Sequence, residues 1–428
     1  MSQKSEVVRK TRVLFLSFQS NLSGAPRSLF NIVKHIDREK FEPHVLFNFP
    51  GPIVESFESI ASTHHLGRYK ALWRIPSFLN RVLIRSLRHR AFNKLVKRIA
   101  PDVIYINTVS RGDSAVWSMA FNIPKIVHLH EIDLDLVNQN GAWLEMLCNN
   151  VDRFIGCAEA VSDSVRKWLD IPSQKVVTAV GAIEVDEILE RRSSGNVVAN
   201  IRKSLGIGED ELVIGSVGKP SFRKGIDLFI EAALRVCSAR SKVHFVWVGG
   251  HDGIHSTRTM RAMHRLSEKL GSRFHWVTEV EDAGPYQQAL DIYVVPSRWD
   301  PFPFGMLEAM LLEKPVVGFR VSGIPEAIIE GTGVLVDMIS PDKLADALMS
   351  LLDRRDEWKT MGVRGSANIK QRHDIESVVR TIENTIQRVA SDNRRESLVV
   401  SHDTSPNPVE AVKAVNVDGV SASRLLDS

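Results

Sequence analysis

Short apolar runs and longer helical segments alternate along almost the whole chain. The first run, at residues 13–17, leads through a Gly-Ala-Pro turn into a helical pattern over 29–36. Further apolar runs follow at residues 103–106, 126–129 and 154–156, with helical segments between them. Strands that alternate with helices are typical of βαβ units. The pattern therefore predicts a doubly wound parallel sheet in this part of the chain.

The alternation pauses and then resumes, which predicts a second domain of the same α/β class. Residues 190–195 read Glu-Arg-Arg-Ser-Ser-Gly, as expected for a linker before a new helix. Apolar runs then return at residues 212–217, 243–248, 274–277, 291–295 and 315–319. The predicted domains are residues 1–185 and residues 186–372.

The end of the chain changes character. An amphipathic stretch over residues 375–389 predicts a last helix within a segment 373–390. Residues 391–428 are rich in Ser, Asn, Asp and Pro, with scattered valines. This composition predicts a mostly disordered tail.

Composition places the chain among soluble globular proteins. It has 428 residues, of which 43% are hydrophobic and 25% are charged. Its apolar runs are far shorter than the roughly 20 residues that span a bilayer, and residues 1–10 lack the apolar core of a secretory signal. Three cysteines without metal-ligand spacing suit reduced thiols. We therefore predict a cytoplasmic protein.

Two carboxylates, Asp300 and Glu308, flank a turn that contains Pro and Gly and follows the apolar run 292–295. The run Glu-Ala-Met-Leu-Leu predicts a helix with Glu308 in its first turn. A purely structural interpretation is available, because an Asp-Pro pair makes turns and a first-turn Glu complements the helix dipole. Ligands, however, also collect where strands end and helices begin.

The loop after residues 212–217 carries Gly218, Lys219, Arg223 and Lys224 before the next helix begins. Cations at a helix N-terminus oppose the dipole, so a purely structural loop has no reason to contain them. A bound anion explains the arrangement, and a diphosphate fits it.

The first domain offers two further candidates. Gly24 stands between the first apolar run and its helix, where it would allow close approach of a phosphate or sugar, although a plain turn glycine explains it equally well. His130 and Glu131 close the run 126–129 and predict a polar site at the strand end. His128 and His130 do not indicate a metal site, because no third ligand is recognisable nearby.

An ordered series of motifs resembles the retaining, nucleotide-sugar-dependent glycosyltransferases of the GT-B fold, family 4, also described as glycosyl transferases group 1. The resemblance covers about residues 13–389. The matching motifs are Gly218-Lys219, Lys224-Gly225, Pro296-Ser297, Asp300-x7-Glu308, Glu308-Ala-Met310, Pro315-Val-Val317 and Gly323-Ile-Pro-Glu326.

The resemblance implies a role for each charged candidate. Glu308 would bind the ribose hydroxyls of the nucleotide, and Asp300 would lie near the donor sugar. Lys219 and Lys224 would hold the diphosphate and offset the charge of the departing nucleotide. Metal ions do this work in other transferases, so neither a metal nor another cofactor is expected.

The resemblance also implies the remaining contacts. Backbone amides of Phe304 and Gly305 would contact the sugar or phosphate, and Gly218 would belong to the same donor-binding set. Gly24 would approach the diphosphate from the other domain, and His130 would touch the transferred sugar. Two Rossmann-like domains would face each other across a cleft, and the last helix would cross back to the first domain.

The chain departs from the family pattern at three places. The first carboxylate is Asp300 rather than Glu, and Pro303 stands where many members have Gly, which removes one N–H group. The family's Asn-Gly-Val/Ile-Asp appears only as Val-Gly-Ala-Ile at residues 180–183. Donor-sugar contacts are therefore the least constrained part of the prediction.

A basic segment concerns the acceptor. Residues 60–100 contain ten Lys or Arg and no Asp or Glu, with apolar residues interleaved. A basic amphipathic helix is typical of elements that bind anionic membranes, so residues 68–98 are predicted to dock on lipid and present a lipid-linked acceptor. A solvated basic face on a core helix is an equal alternative. Nucleic acid is not predicted, because no binding module accompanies the charge.

The resemblance implies an enzyme that moves a hexose-type sugar from a nucleotide-diphosphate donor to a hydroxyl of a glycan or lipid-linked glycan. The configuration at the anomeric carbon would be retained, in cell-surface polysaccharide or glycolipid biosynthesis. Two alternatives remain at this point. One is a noncatalytic GT-B scaffold at a membrane, and the other is a GT-B sugar-nucleotide epimerase.

Overall fold

Two parallel β-sheets organise the chain in a computed structural model. The first sheet has seven strands in the order β3-β2-β1-β4-β5-β6-β7, and the second has six in the order β10-β9-β8-β11-β12-β13. The structure describes residues 9–21, 23–66, 77–110, 112–132, 136, 139, 141–250, 258–278, 280 and 282–399.

The strands are short, and those at the centre of each sheet are buried. They are β1 (Thr11–Ser17), β2 (Phe41–Phe47), β3 (Ser62–His65), β4 (Val103–Asn107), β5 (Lys125–Leu129), β6 (Arg153–Gly156), β7 (Val176–Thr178), β8 (Leu212–Val217), β9 (Val243–Val248), β10 (Phe274–Val277), β11 (Ile292–Val295), β12 (Val316–Phe319) and β13 (Val334–Val336). All six residues of β9 are buried, as expected for a parallel strand that helices cover on both faces.

Helices connect successive strands and cover the sheets. The helix Ile226–Ala239, for example, buries Phe229, Ile230, Ala233 and Val236 at helical spacing against the second sheet. The α-helices are Gly24–His35, Val54–Glu58, Ser77–Ile99, Asp113–Ser118, Gly141–Asn150, Glu159–Trp168, Val185–Glu190, Gly195–Ser204, Ile226–Ala239, Arg258–Ser267, Gly284–Ala289, Phe304–Leu311, Ile324–Ala327, Pro341–Leu352, Trp358–Arg372 and Ile375–Val399.

The helix Ile375–Val399 packs against the first sheet, although it follows the second in sequence. Ile382 and Ile386 are fully buried in the same cluster as Phe15 of β1, and Glu383 accepts a hydrogen bond of 2.6 Å from the backbone N–H of Asp37. The helix continues to Val399, into the first nine residues of the segment predicted as a mostly disordered tail. The rest of the predicted tail lies outside the described residues.

The strand order reverses direction once in each sheet. The chain leaves β1 towards β2 and β3 but resumes with β4 on the other side of β1, and β8 and β11 repeat this arrangement. Ligands of open α/β sheets bind beyond the carboxyl ends of the strands at such a point. A ligand is therefore expected beside the loops that follow β1, β4, β8 and β11.

The basic segment forms the helix Ser77–Ile99 from residue 77 onward, and residues 68–76 lie outside the described residues. Its second half buries one apolar face and exposes an opposite face that carries cations. The buried residues are Phe92, Leu95, Val96 and Ile99, and the exposed ones include Arg90, Lys94 and Lys97. None of the described helices is long and apolar enough to cross a membrane.

Paired histidines cross an edge of each sheet. His44 Nδ1 lies 3.2 Å from His64 Nε2 between β2 and β3, and His244 Nδ1 lies 3.1 Å from His275 Nε2 between β9 and β10. Burial lowers the pKa of His64 and His275 from 6.5 to about 4. These side chains are therefore neutral at physiological pH.

Burial of the histidines is expected to make the free energy of unfolding depend on pH. The unfolded chain binds protons at His64, His275 and the similarly buried His373 as the pH falls through 6.5, whereas the folded chain binds them only near a pKa of about 4. The free energy of unfolding is therefore highest above pH 6.5 and falls as the pH drops from 6.5 towards 4. Urea unfolding at about pH 7.5, 6 and 5 measures this slope.

A double variant supplies the control for this prediction. His64→Gln with His275→Gln keeps a hydrogen-bonding side chain at both positions but removes two titrating groups, so the slope is expected to become shallower. An equal free energy of unfolding at all three pH values in the unaltered chain would contradict the prediction.

Candidate functional site

The loop after β8 ends in a residue that must be glycine. Gly225 adopts φ +68° at the start of the helix Ile226–Ala239, and a Cβ there would lie 1.8 Å from the carbonyl oxygen of Pro296. The N–H of Arg298 donates to the carbonyl of Arg223 at 2.9 Å. This loop is thus fastened to the loop after β11, which brings the predicted cations beside the predicted carboxylate.

Lys224 forms an ion pair with Asp300. Its Nζ lies 2.5 Å from Asp300 Oδ2, and Arg223 Nη1 lies 3.4 Å from the same oxygen. The Asp300 side chain is buried, with 4% of the residue exposed, and burial by itself would raise the pKa of this carboxyl. Lys224 and Arg223 outweigh burial and hold the pKa of Asp300 below its ordinary value. Asp300 is therefore ionised at neutral pH and positions Lys224.

Glu308 does not lie in the first turn of its helix, so that detail of the prediction is wrong. The helix begins at Phe304, directly after Pro303, and Glu308 is its fifth residue. The sequence indicated a later start because the Glu-Ala-Met-Leu-Leu run is the more helical part. Phe304 and Gly305 occupy the first turn instead, where backbone N–H groups lack intrahelical partners.

Two side chains hold the Glu308 carboxylate. Arg27 Nη2 donates to Oε1 at 3.2 Å, and Gln287 Nε2 donates to Oε2 at 3.2 Å. Arg27 belongs to the helix Gly24–His35 of the first domain, whereas Gln287 and Glu308 belong to the second. Glu308 therefore lies where the two domains meet.

Gln287 and Tyr293 are site residues that the sequence did not reveal. Gln287 is 1% exposed, and its Nε2 also donates to the carbonyl of Gly305 at 3.2 Å. A Cβ on Gly305 would lie 2.6 Å from the hydroxyl oxygen of Tyr293, so glycine is required there. Burial is the main cause that raises the pKa of the Tyr293 hydroxyl, and the nearby charge of Glu308 raises it further, so Tyr293 is neutral. Tyr293 gave one signal, a hydroxyl inside the apolar run 292–295, and Gln287 gave none.

The first domain contributes the loop after β1 and the end of β4. A Cβ on Gly24 would lie 3.9 Å from the Phe304 ring, so these two predicted residues face each other across the cleft. Asn107, at the end of β4, donates through Nδ2 to the carbonyl of Ala25 at 2.9 Å. Its Oδ1 lies 3.0 Å from His130 Nε2. One buried amide thus links the Gly24 loop to His130.

His130 is neutral in this environment. Burial lowers its pKa from 6.5 to about 4. If Asn107 Oδ1 accepts from His130 Nε2–H, the other ring nitrogen is left as a hydrogen-bond acceptor. A neutral imidazole with a free acceptor suits contact with a sugar hydroxyl better than with an anion.

Glu131 stabilises the turn behind His130. Its carboxylate accepts hydrogen bonds from the Thr108 hydroxyl and from the backbone N–H groups of Val109 and His130, the last two at 3.3 and 3.0 Å. Thr108 has φ +128°, a conformation that strains a β-branched residue. Glu131 therefore acts on the backbone that presents His130.

The Gly-x-x-Glu motif joins the domains behind the site. Glu326 accepts hydrogen bonds of 2.9 Å from the backbone N–H groups of Glu159 and Ala160, at the start of a first-domain helix. A Cβ on Gly323 would lie 2.0 Å from the carbonyl oxygen of Pro301. This motif fixes the Asp300 loop against the first domain.

Most of the predicted residues thus lie at one interdomain cleft. Lys224 contacts Asp300, Glu308 contacts the first domain, and Gly24 faces Phe304. Lys219, next to Gly218, is exposed, and none of the ion pairs found among the described residues includes it. Within the described ranges, no group of three or more His, Cys, Asp or Glu side chains is arranged to hold a metal ion.

Two family models match the chain, one for each half. Residues 22–187 match the family described as Glycosyltransferase Family 4. Residues 211–354 match the family described as Glycosyl transferases group 1. Together they include every predicted site residue, from Gly24 to Glu308.

Curated relatives match over part of their length. The lipopolysaccharide core biosynthesis mannosyltransferase LpsB of Rhizobium meliloti is 24% identical over 244 residues, which are 56% of this chain and 66% of that protein. A D-inositol 3-phosphate glycosyltransferase of Corynebacterium aurimucosum is 30% identical over 226 residues, which are 51% of this chain and 52% of that protein. The chain thus spans about half to two thirds of these relatives.

Solved structures share the two-sheet arrangement. Anabaena Alr3699/HepE in complex with UDP and glucose matches with a TM-score of 0.72 at 20% identity, over 88% of this chain and 100% of that chain. WaaG, a glycosyltransferase involved in lipopolysaccharide biosynthesis, matches with a TM-score of 0.65 at 15% identity, over 87% and 99%. The predicted GT-B fold is confirmed by these likenesses and by the two parallel sheets.

Proposed function

Because the chain belongs to the group 1, family 4 glycosyltransferases, we propose that it transfers a hexose-type sugar from a nucleoside diphosphate to a hydroxyl of a glycan or lipid-linked glycan. The observation that carries the proposal is the interdomain cleft, where Lys224 pairs with Asp300, Glu308 contacts the first domain, and Gly24 lies opposite Phe304. LpsB is named for lipopolysaccharide core biosynthesis, which supports an acceptor of this class.

The donor is held mainly by the second domain. Lys219 and Lys224 bind the diphosphate, and Glu308 binds the ribose hydroxyls. Charge-assisted hydrogen bonds of this kind contribute roughly 1.5–3 kcal/mol each. Phe304 and Gly305 offer the backbone N–H groups of a first helical turn, which favours negative charge. The HepE structure contains UDP and glucose, which supports a nucleotide-sugar donor.

The proposed reaction retains the anomeric configuration. The bond from the anomeric carbon to the phosphate oxygen breaks, and the acceptor hydroxyl attacks the same face of the sugar. The acceptor proton passes to the departing phosphate oxygen, so no side chain is needed as a base. Lys219 and Lys224 stabilise the charge that develops on the leaving diphosphate. His130 contacts the sugar from the first domain.

Donor turnover tests this proposal. The full chain is incubated with UDP-, GDP- and ADP-sugars and candidate glycan acceptors, with and without a chelator, and the anomeric configuration of the product is read by NMR. One donor is expected to be consumed equally with and without the chelator, and its configuration to be retained. Consumption of no donor would contradict the proposal, and an altered free sugar without acceptor would indicate an epimerase.

We also propose that the basic helix places the enzyme on the cytoplasmic face of an anionic membrane. Arg88 does not take part, since it donates to the carbonyl of Asn48 at 2.8 Å and its guanidinium stacks on Phe49. Arg85 pairs with Asp113 at 3.3 Å. The exposed face with Arg90, Lys94 and Lys97 supports the proposal instead.

Replacing these three exposed cations is expected to weaken membrane binding. Each basic residue near an anionic surface contributes roughly 1 kcal/mol, so Arg90→Gln with Lys94→Gln and Lys97→Gln lowers vesicle partitioning on the order of 100-fold. Flotation with phosphatidylserine-containing vesicles measures it. The control neutralises Arg235, Lys343 and Arg354 in the second domain. Equal flotation of both variants would contradict the proposal.

A further inference from the structure

Arg27 is a cation at the donor site that no motif singled out. It is the fourth residue of the helix Gly24–His35, and its Nη2 lies 3.2 Å from Glu308 Oε1 across the cleft. The Arg27 side chain is 54% exposed, whereas that of Glu308 is 15% exposed. An accessible cation of the first domain thus binds a largely buried carboxylate of the second.

The position of Arg27 is unfavourable for a cation with a purely structural role. No acidic residue lies in the first turn of its helix, so its charge opposes the helix dipole. An ion pair with one exposed partner offsets little of that cost. Lys219 and Lys224 stand in the same relation to the helix after β8, and the proposed function gives them a diphosphate to bind.

The pair also occupies the place that the ribose requires. Glu308 Oε1 accepts from Arg27 and Oε2 accepts from Gln287, so ribose hydroxyls compete with these donors. The cavity beside the pair measures about 70 Å³ and is lined by Arg27, Phe304 and Glu308 among others. Pockets that enclose small ligands measure roughly 300–1,000 Å³. A ribose at Glu308 would therefore have to displace Arg27 from Oε1.

We propose that Arg27 is a switchable ligand of the donor, an inference that rests on the proposed function because it uses the same Glu308 site. In this structure Arg27 binds Glu308. When a nucleoside diphosphate binds, Arg27 releases the carboxylate to the ribose and turns to the diphosphate, which the proposed function puts beside Gly24, in the same helical turn as Arg27. The planar guanidinium presents a fork of donors that matches phosphate as well as carboxylate.

The proposal predicts opposite effects of one substitution on two ligands. Arg27→Ala removes a competitor for Glu308, so a nucleoside without phosphate is expected to bind roughly two- to fivefold more tightly. The same change removes a phosphate ligand, so the nucleoside diphosphate is expected to bind roughly 10- to 100-fold more weakly. A residue that merely joined the domains would change both affinities in the same direction.

The experiment titrates the full chain with uridine, guanosine and adenosine and with their diphosphates. A matched control is Arg9→Ala, because Arg9 is 61% exposed and pairs at 3.1 Å with Asp102, which is 14% exposed. Arg9 precedes β1, at the amino end of that strand, whereas the cleft loops follow the carboxyl ends of the strands. Arg9→Ala is expected to change neither affinity. Thermal unfolding of each variant verifies that it is folded.

The outcomes separate the two proposals. Tighter nucleoside binding together with weaker diphosphate binding in Arg27→Ala supports the switch. Parallel changes, or none, in a chain that binds a nucleoside diphosphate would overturn the switch alone. Binding of no nucleoside diphosphate by the unaltered chain would contradict the proposed function and, with it, this inference.

Discussion

Replacing Lys224 with Met is expected to lower donor turnover roughly 100- to 1,000-fold, as for the loss of one charge-stabilising group in an active site. Lys224 Nζ is held 2.5 Å from Asp300 Oδ2, so its position is fixed before the diphosphate leaves. A fixed cation stabilises developing charge without reorganising during the reaction. The rate constant for consumption of the nucleotide sugar measures the loss.

The same substitution also affects stability, and a second variant separates the two effects. Lys224→Met leaves Asp300 buried with Arg223 as its remaining cation, which raises the pKa of the Asp300 carboxyl and lowers the thermal unfolding temperature. Adding Asp300→Asn removes the unpaired charge and is expected to restore much of the unfolding temperature but none of the turnover. Recovered turnover in the double variant would show that Lys224 serves only to neutralise Asp300.

Replacing Glu308 with Ala is expected to weaken nucleoside diphosphate binding on the order of 100-fold, since hydrogen bonds to a charged group contribute roughly 1.5–3 kcal/mol each. Gln287 holds the carboxylate at 3.2 Å, so the unaltered side chain is oriented before the ribose arrives. Isothermal titration with the nucleoside diphosphate that binds most tightly measures the change.

A ligand lacking the ribose hydroxyls tests the assignment of Glu308 independently. The unaltered chain is expected to bind the 2′,3′-dideoxy nucleotide much more weakly than the parent nucleotide, whereas Glu308→Ala is expected to bind both alike. If Glu308→Ala still preferred the parent nucleotide by the same factor, Glu308 would have another role and the ribose another partner.

The strands that could be predicted are mostly those in which apolar residues predominate. Strand β9 is buried throughout, and His244 is its one polar residue. Strand β2 was missed because Glu42, Pro43 and His44 interrupt it, although its position beside β1 is fixed by pairing along its whole length. Strand β3 contains no strongly apolar residue, and pairing with β2 alone makes it a strand.

Only some residues of the candidate site could be predicted from the sequence. Lys224 and Glu308 could be proposed from sequence because cations and carboxylates stood at strand ends in a recognisable order. Gln287 and Arg27, which contact Glu308, could not be proposed, and neither could Asn107, which joins His130 to the Gly24 loop. These residues come from other elements, and only the fold brings them into contact. Arg27 did carry one signal, a cation three residues after Gly24 at the start of a helix.

Binding of a nucleoside diphosphate in the interdomain cleft is central to the proposed function. Titration of the unaltered chain and of Glu308→Ala with UDP, GDP and ADP, in the presence of a chelator, tests this most directly. We expect one of the three to bind the unaltered chain and to bind Glu308→Ala on the order of 100-fold more weakly. Binding of none of them, or equal binding to both proteins, would contradict the account.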